Sequence, residues 1–245
     1  MSDDYDSQVS ALTAQFSGLF ANPPAEVSPI IRGSQLLGAC SEALATALLS
    51  SVQAKPTSSD VLVQSLVRDL AATEDLRFTD KEAGYIDASF NTIFLADLAE
   101  YLSNALHETQ LQKPKQGEVV PQNTVLSSAL FAGSALKNGL LTSKAIYSFV
   151  TQGLQFPGAT YEEGRKEIVA TGACLVLIVA GDIFLEKWMP QGGVEKVQTA
   201  LESLKDKNVI SHAAGVELLE KTIDAAKGGF KALLSTTDAW RVLFP

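Results

Sequence analysis

Residues 168–181 read IVATGACLVLIVAG, an uncharged stretch that ends at the carboxylate of Asp182. Apolar residues face every side of a helix built from this stretch, so protein must cover that helix all round. A membrane-spanning helix needs about 20 apolar residues, and this stretch is shorter and contains two glycines. The sequence therefore predicts a buried core helix, with insertion into a membrane as a less favoured alternative.

The flanks of this stretch decide between a helix and a buried strand, which a short apolar run does not distinguish by itself. Upstream, Thr160-Tyr161-Glu162-Glu163 has the spacing of a capping box, in which a hydroxyl and a glutamate bond to each other's backbone amides. Downstream, a proline and two glycines between residues 190 and 193 are typical of a helix stop. We therefore predict a single hydrophobic helix over residues 161–188.

Apolar residues recur at helical spacing along most of the remaining chain. The predicted fold class is all-α, a multi-helix bundle of about eight to ten helices around the buried hydrophobic central helix (161–188), with an N-terminal helical arm. A second capping box, Thr79-Asp80-Lys81-Glu82, is expected to introduce a long helix, and Thr237 or Asp238 is expected to cap the last one. The other helices are predicted at residues 9–20, 30–54, 61–72, 85–108, 124–137, 143–154, 194–205 and 212–227, with one or two turns within 230–245.

The chain is predicted to have three parts. Residues 1–27 form an amphipathic N-terminal arm, which the prolines at 23 and 24 separate from the body. Residues 28–111 form an N-terminal helical layer. Residues 123–245 form a C-terminal helical layer with the central helix and an apolar tail. The polar stretch between the two layers suits a domain boundary or an ordinary surface loop, so the layers are alternatively one domain.

Composition and charge exclude several classes of protein. The 245 residues carry a net charge of −9, and the 19 basic residues are scattered, so nucleic acid is an unlikely partner. Cys40 and Cys174 are the two cysteines, and both lie in apolar helical segments, which predicts small buried hydrophobes and excludes a disulfide-stapled fold. The N-terminus lacks a secretory pattern, so an intracellular, cytoplasmic location is expected.

The sequence contains no recognisable catalytic motif. Nucleophile elbows, phosphate loops and dinucleotide fingerprints require glycines at fixed offsets, and those offsets do not occur. His107 and His212 are isolated, and two separated histidines with two separated cysteines are a poor ligand set for zinc. We therefore predict a protein that is not an enzyme and that holds no metal or cofactor. The alternative is an enzyme whose active site assembles from residues dispersed along the chain.

Asp182 and Glu186 form the one candidate polar site in the core. They lie one helical turn apart at the edge of the apolar stretch, where two carboxylates could exchange a proton or bind a cation. The alternative is that Asp182 lies where the helix reaches solvent, or that it accepts hydrogen bonds from another helix end.

The function predicted from these features is that of a non-enzymatic helical scaffold, adaptor or self-assembling subunit. An amphipathic arm and an apolar tail are segments that proteins commonly bury on a second subunit, so a homo-oligomer is expected. An apolar-ligand carrier or a latent membrane-inserting bundle is the alternative, because Gly172, Ala173, Ala180 and Gly181 could line a cavity. An RNA-encapsidating nucleoprotein is a distant alternative. The candidate interaction residues are Val9, Leu12, Phe16, Phe20, Trp240, Leu243 and Phe244.

Overall fold

The computed structural model describes residues 2–23, 26–80, 85–107, 124–158, 165–188 and 192–245. Within these residues the chain forms eleven α-helices and one two-stranded antiparallel hairpin, which confirms the predicted all-α fold class. The elements in chain order are α1 (Ser2–Phe20), α2 (Ser28–Gly33), α3 (Leu37–Ala54), α4 (Ser59–Leu70), β1 (Arg77–Asp80), β2 (Tyr85–Ser89), α5 (Phe90–Leu106), α6 (Thr124–Lys137), α7 (Ser143–Gly153), α8 (Lys166–Trp188), α9 (Gly193–Asp206), α10 (Ala213–Lys227) and α11 (Thr236–Leu243).

The predicted core helix is α8, and it lies at the centre of the C-terminal half. Every residue from 169 to 181 is buried, beneath α6, α7, α10 and α11. The segment Lys166–Glu186 is long and apolar enough to cross a membrane, but 83% of its apolar stretch is buried within the protein. The helix begins at Lys166 rather than at 161, and the capping box expected at 160–163 lies outside the described residues.

A second helix, α6, is also buried on all sides, which the sequence did not indicate. Every residue from 125 to 136 is buried, including Ser127, Ser128 and Ser134. These serines make α6 look half-polar in the sequence, but helical serines can donate to the helix's own carbonyls or to neighbouring helices and so tolerate burial. Ser127 donates to the Thr124 carbonyl in this way, at 3.2 Å.

Small residues bring α6 and its neighbours very close to α8. A Cβ atom on Gly133 of α6 would lie 3.2 Å from Val179 Cβ, and one on Gly172 of α8 would lie 2.7 Å from the Phe149 ring of α7. The glycines are therefore necessary for the approach of the helices. In the described part of the chain Gly133 and Gly172 serve the close packing of α6, α7 and α8.

α8 is kinked at Ala180, which has φ −144° and ψ 26°. The C-terminal segment of the chain fills this kink. The Leu234 amide donates to the Ile178 carbonyl at 2.9 Å, and the ring of Phe230 packs so closely on Gly181 that a Cβ there would lie 2.5 Å from it. A backbone donor and an aromatic ring inserted at one position account for the kink.

The N-terminal half is organised around α3, which packs against α1, α5 and α6. The expectation that the arm extends away from the body is wrong, since α1 lies along α3 and places Phe16 and Phe20 in the core. Because α6 contacts elements of both halves, the buried apolar side chains form one continuous cluster.

The capping box predicted at 79–82 and the start of the helix predicted at 85–108 are wrong. β1 and β2 pair as an antiparallel hairpin, and α5 begins only at Phe90. Ser89 is the true cap, because its hydroxyl accepts a hydrogen bond from the Thr92 amide at 3.2 Å. Residues 81–84 lie outside the described part.

The hairpin forms because both segments are rich in aromatic and β-branched residues, which suit paired strands. The rings of Phe78 and Tyr85 lie 6.3 Å apart across the pair. The Thr79 hydroxyl, expected to cap a helix, instead accepts a hydrogen bond from the Asp87 amide of β2 at 3.1 Å. The Thr79 hydroxyl therefore joins the two strands and does not cap a helix.

The remaining predicted helices agree with the structure to within a few residues, with three exceptions. The first helix, predicted at 9–20, begins at Ser2. The helix predicted at 30–54 is divided into α2 and α3, which residues 34–36 separate. The last helix, α11, is capped by Ser235, whose hydroxyl accepts from the Asp238 amide at 3.1 Å, rather than by Thr237 or Asp238.

Candidate binding surfaces

The residues predicted to meet a partner lie mostly against the protein's own core. Phe16, Phe20, Trp240 and Leu243 are buried, and Phe244 is exposed but stacks on Trp240 at a centroid distance of 4.4 Å. The two remaining candidates on α1, Val9 and Leu12, are half-buried. The arm and the tail are thus largely covered within the chain itself.

Asp182 and Glu186 are both exposed, so the polar site expected in the core is replaced by two surface carboxylates. The Asp182 carboxylate accepts a hydrogen bond from the Ile183 amide at 2.8 Å, just beyond the kink in α8. This placement matches the structural alternative, in which the helix reaches solvent at Asp182.

Three carboxylates cap or join other helices, which accounts for much of the polar bonding between elements. Asp60 of α4 accepts from Ser134 of α6 at 2.6 Å and from the Thr236 hydroxyl of α11 at 3.0 Å. Asp69 accepts from the Ser28 amide at 2.7 Å, at the start of α2. A carboxylate at a helix N-terminus is favoured because the first amides lack partners within the helix.

Glu167 of α8 makes the most extensive of these caps, at the start of α10. One of its oxygens accepts from the Ser211 amide at 2.6 Å, from the Ser211 hydroxyl at 2.9 Å and from His212 Nδ1 at 2.9 Å. Partial burial tends to raise the pKa of Glu167, but the bonds from His212 and Ser211 outweigh it and lower the pKa to about 2. The group therefore stabilises the fold only when ionised.

The two cysteines are buried, and both histidines are hydrogen-bonded. Burial raises the pKa of the Cys40 and Cys174 thiols to about 12, so both remain neutral. His107 Nδ1 lies 2.8 Å from the Ser103 carbonyl at the end of α5. Within the described residues, three or more histidine, cysteine or acidic side chains do not gather into a group suited to a metal ion.

An apolar surface lies where the hairpin meets α1 and the start of α3. A Cβ on Gly38 would lie 3.6 Å from Phe78 Cζ and 3.7 Å from Tyr5 Oη, so both rings lie over the first turn of α3. Tyr85 contacts Phe78 across the hairpin. We name this surface the hairpin end and define it by Tyr5, Leu36, Phe78, Tyr85 and Ile86.

The hairpin end carries most of the large exposed hydrophobic side chains of the described residues. Among the described residues, five large hydrophobic side chains are exposed, and three of them belong here: Ile86 at 76%, Leu36 at 40% and Tyr5 at 37%. The other two are Val61 and Phe244. Large hydrophobic side chains exposed to solvent are candidates for contact with a second surface.

An irregularity in the strand pairing accompanies the exposure of Ile86. Phe78 pairs with Ala88 and Asp80 pairs with Tyr85, so two residues of β2 stand opposite the single residue Thr79. One of the two, Asp87, has a positive φ of 50°. Bulges of this kind redirect side chains, and the neighbouring Ile86 projects into solvent.

Negative charge borders the hairpin end on the α3 and α5 side. Tyr5 donates to the Glu42 carboxylate at 3.2 Å, and Ser41 donates to Asp97 nearby on α5. Burial raises the pKa of Asp97 against the opposing bond from Ser41, and the charges of Glu42 and Glu100 raise it further. The carboxylates are thus close enough to repel one another.

A second concave surface, the α7–α9 groove, lies between two helices that both pack on α8. It has a volume of about 1000 Å³. Leu154, Phe156 and Ala200 supply apolar contacts, and the rest of the lining is mostly hydroxyl, amide and charged groups. The polar members are Tyr147, Ser148, Thr151, Gln152, Gln155, Glu195, Lys196, Thr199, Ser203 and Lys207.

Neither surface is predicted from the sequence, although each leaves a signal there. The segments RFTD and YIDAS combine aromatic and β-branched residues around Gly84, which is typical of a hairpin with a short connection. The groove leaves a weaker signal, because hydroxyl and lysine residues along one helix face usually mark a solvated surface.

The comparisons with known proteins assign no family. No family model matches the chain, and no curated protein and no solved structure shows significant similarity to it.

Proposed function

We propose that this protein is a non-enzymatic helical subunit that associates with a second copy of itself through the hairpin end. The observation that supports this most is the exposure of Ile86, an isoleucine of the hairpin with 76% of its surface open to solvent. Covering this side chain would remove apolar area from water at about 25 cal/mol per Å².

A second copy is a suitable occupant because the hairpin has complementary edges. Within the described residues β1 and β2 pair only with each other, so each strand has one edge without a strand partner. Two hairpins related by a twofold axis can pair edge to edge, since such an interface places the same patch on both subunits. The proposed site of association thus includes Tyr5 of the arm but differs from the arm and tail residues that the sequence favoured.

Charge sets the conditions for this association. The protein carries a net charge of −9, and carboxylates border the hairpin end, so two copies repel each other at low ionic strength. At 0.1 M salt the Debye length is about 10 Å, so the repulsion between charges farther apart than this is screened. Self-association is therefore expected to strengthen with added salt.

Multi-angle light scattering over a range of concentrations tests the proposal. The wild-type protein is expected to pass reversibly from monomer to dimer, and Ile86→Lys to weaken the dimer by about tenfold or more, because the interface would bury an unpaired ammonium. Val61→Lys is the matched control, since Val61 is an exposed apolar residue on α4, outside the hairpin end.

Two results would contradict the proposal. One is a wild-type protein that stays monomeric in high salt up to a concentration of about 1 mM. At that concentration a dimer with a Kd of about 1 mM would be half formed. The other is an equal loss of dimer in Ile86→Lys and Val61→Lys, which would show an effect of charge in general.

A further inference from the structure

The α7–α9 groove carries a second inference, independent of the association of the hairpin end. Its α9 wall presents residues 196, 199, 200, 203 and 207, which share one face because they are three, four, seven and eleven positions apart. The α7 wall presents Ser148, Thr151, Gln152 and Gln155. Both walls are therefore made of groups that can hydrogen-bond to a ligand lying along the helices.

The charges in the groove are opposite to those of the protein as a whole. Lys196 and Lys207 lie about 16 Å apart along α9 at 1.5 Å per residue, and among the described residues Glu195 is the one carboxylate in the lining. Within the described residues neither lysine forms an ion pair. A net positive groove on a protein of charge −9 favours an anionic ligand at that place.

The length and polarity of the groove fit an extended chain better than a compact ring or an amphipathic helix. Ten of the fifteen residues that line the groove are polar or charged, and an amphipathic helix would lay its apolar face against them and leave their polar groups unpaired. An extended peptide advances about 3.3 Å per residue, so about five residues span the distance between the lysines. Its backbone amides would meet side chains such as Gln152 and Ser203, and its carboxylates would meet the two ammonium groups.

We infer that the α7–α9 groove binds an extended acidic peptide segment of a partner protein, with Lys196 and Lys207 as the charge-recognising residues. Phe156 supplies an apolar contact at the α7 end. The exposed lysines would act chiefly on specificity and on the association rate.

The test uses fluorescein-labelled hexaglutamate as the probe, titrated with the full-length protein and followed by fluorescence anisotropy. We expect binding that weakens with added salt. In NMR spectra of the protein, the backbone amide chemical-shift changes on binding should be confined to residues 147–158 and 195–207. Hexaglutamine of the same length is expected to bind at least about tenfold more weakly, since it lacks the carboxylates.

Charge-reversed variants identify the residues. The double variant Lys196→Glu with Lys207→Glu is expected to weaken hexaglutamate binding by about fivefold or more, because two exposed ion pairs are replaced by repulsion. The control is Lys227→Glu with Lys231→Glu, which changes the net charge equally at exposed lysines outside the groove lining. It is expected to change binding by less than about twofold.

Three results would overturn the inference: hexaglutamine binding as tightly as hexaglutamate, an equal loss in the control variant, or amide shifts outside the groove. Absence of hexaglutamate binding at low salt would overturn it as well. The groove variants should leave the oligomeric state unchanged, so the outcome is separate from that of the dimer experiment.

Discussion

The centre of the molecule and its hairpin end both use large apolar side chains, but in opposite ways. Around α6 and α8, glycines admit neighbouring atoms to distances that no added methyl group would tolerate, and Phe131 and Phe149 are buried. At the hairpin end, Ile86 points into solvent. Apolar character alone therefore does not decide burial, because the backbone around each residue decides whether another element can cover it.

The difference separates residues that stabilise the fold from residues that are available for contact with another surface. A close-packed interior loses stability when a side chain is removed or added, since neighbouring atoms cannot move to fill or make the space. An exposed isoleucine contributes little to folding and is available for contact with another surface. The following predictions test this contrast, beginning with the largest effect.

Phe131→Ala should destabilise the protein most. Phe131 lies wholly inside the core on α6, and deletion of its ring leaves a cavity that costs about 3–5 kcal/mol of unfolding free energy. Urea denaturation followed by circular dichroism measures the change. A loss below about 1 kcal/mol would mean that α6 is not a close-packed central helix.

Gly181→Ala should cost less, about 1–3 kcal/mol, because the new methyl group overlaps the ring of Phe230 and the kink must adjust. The decisive measurement is a double-mutant cycle. In a Phe230→Ala background the same substitution should cost much less, since the overlapping ring is gone. Equal costs in both backgrounds would show that the ring does not constrain the kink.

Glu167→Gln should cost under about 1 kcal/mol at pH 7, because the carboxylate is 41% exposed and screened by solvent. The pKa of Glu167 is lowered from 4.5 to about 2 in the fold, so ionised Glu167 stabilises the protein above the unfolded value. The difference in unfolding free energy between wild type and Glu167→Gln should therefore shrink as pH falls from 4.5 towards 2.

Urea midpoints of wild type and Glu167→Gln, measured from pH 7 to pH 3, report this narrowing. Glu186→Gln removes an exposed carboxylate from the same helix and serves as the control. A difference between wild type and Glu167→Gln that stays constant with pH would contradict the assigned cap.

Ile86→Ala should have the smallest effect on folding, within about 0.5 kcal/mol, because the side chain is already exposed in the monomer. Thermal unfolding at low protein concentration measures it. The same variant should reduce dimer formation at high concentration, and a large loss of monomer stability would place Ile86 in the core instead.

The elements that follow regular spacing are predicted well. The helix at 124–137 matches α6 at both ends, and α7, α9 and α10 begin within a residue or two of the predicted positions. The uncharged stretch at 168–181 becomes part of α8, because a helix that is apolar on every side must be covered, and the surrounding helices cover it. The hairpin is missed, because Thr79 with Glu82 has the same spacing as a capping box.

The sequence by itself determined the helical class of this protein and the burial of its apolar stretch, since both follow from local periodicity and the cost of exposing apolar surface to water. The tertiary structure alone decided that α6 would join α8 at the centre, that Ala180 would kink, and that Ile86 and the α7–α9 groove would face solvent. Each of these depends on contacts between residues far apart in the chain, such as the bond from the Leu234 amide to Ile178. The spacing of neighbouring residues does not specify such contacts.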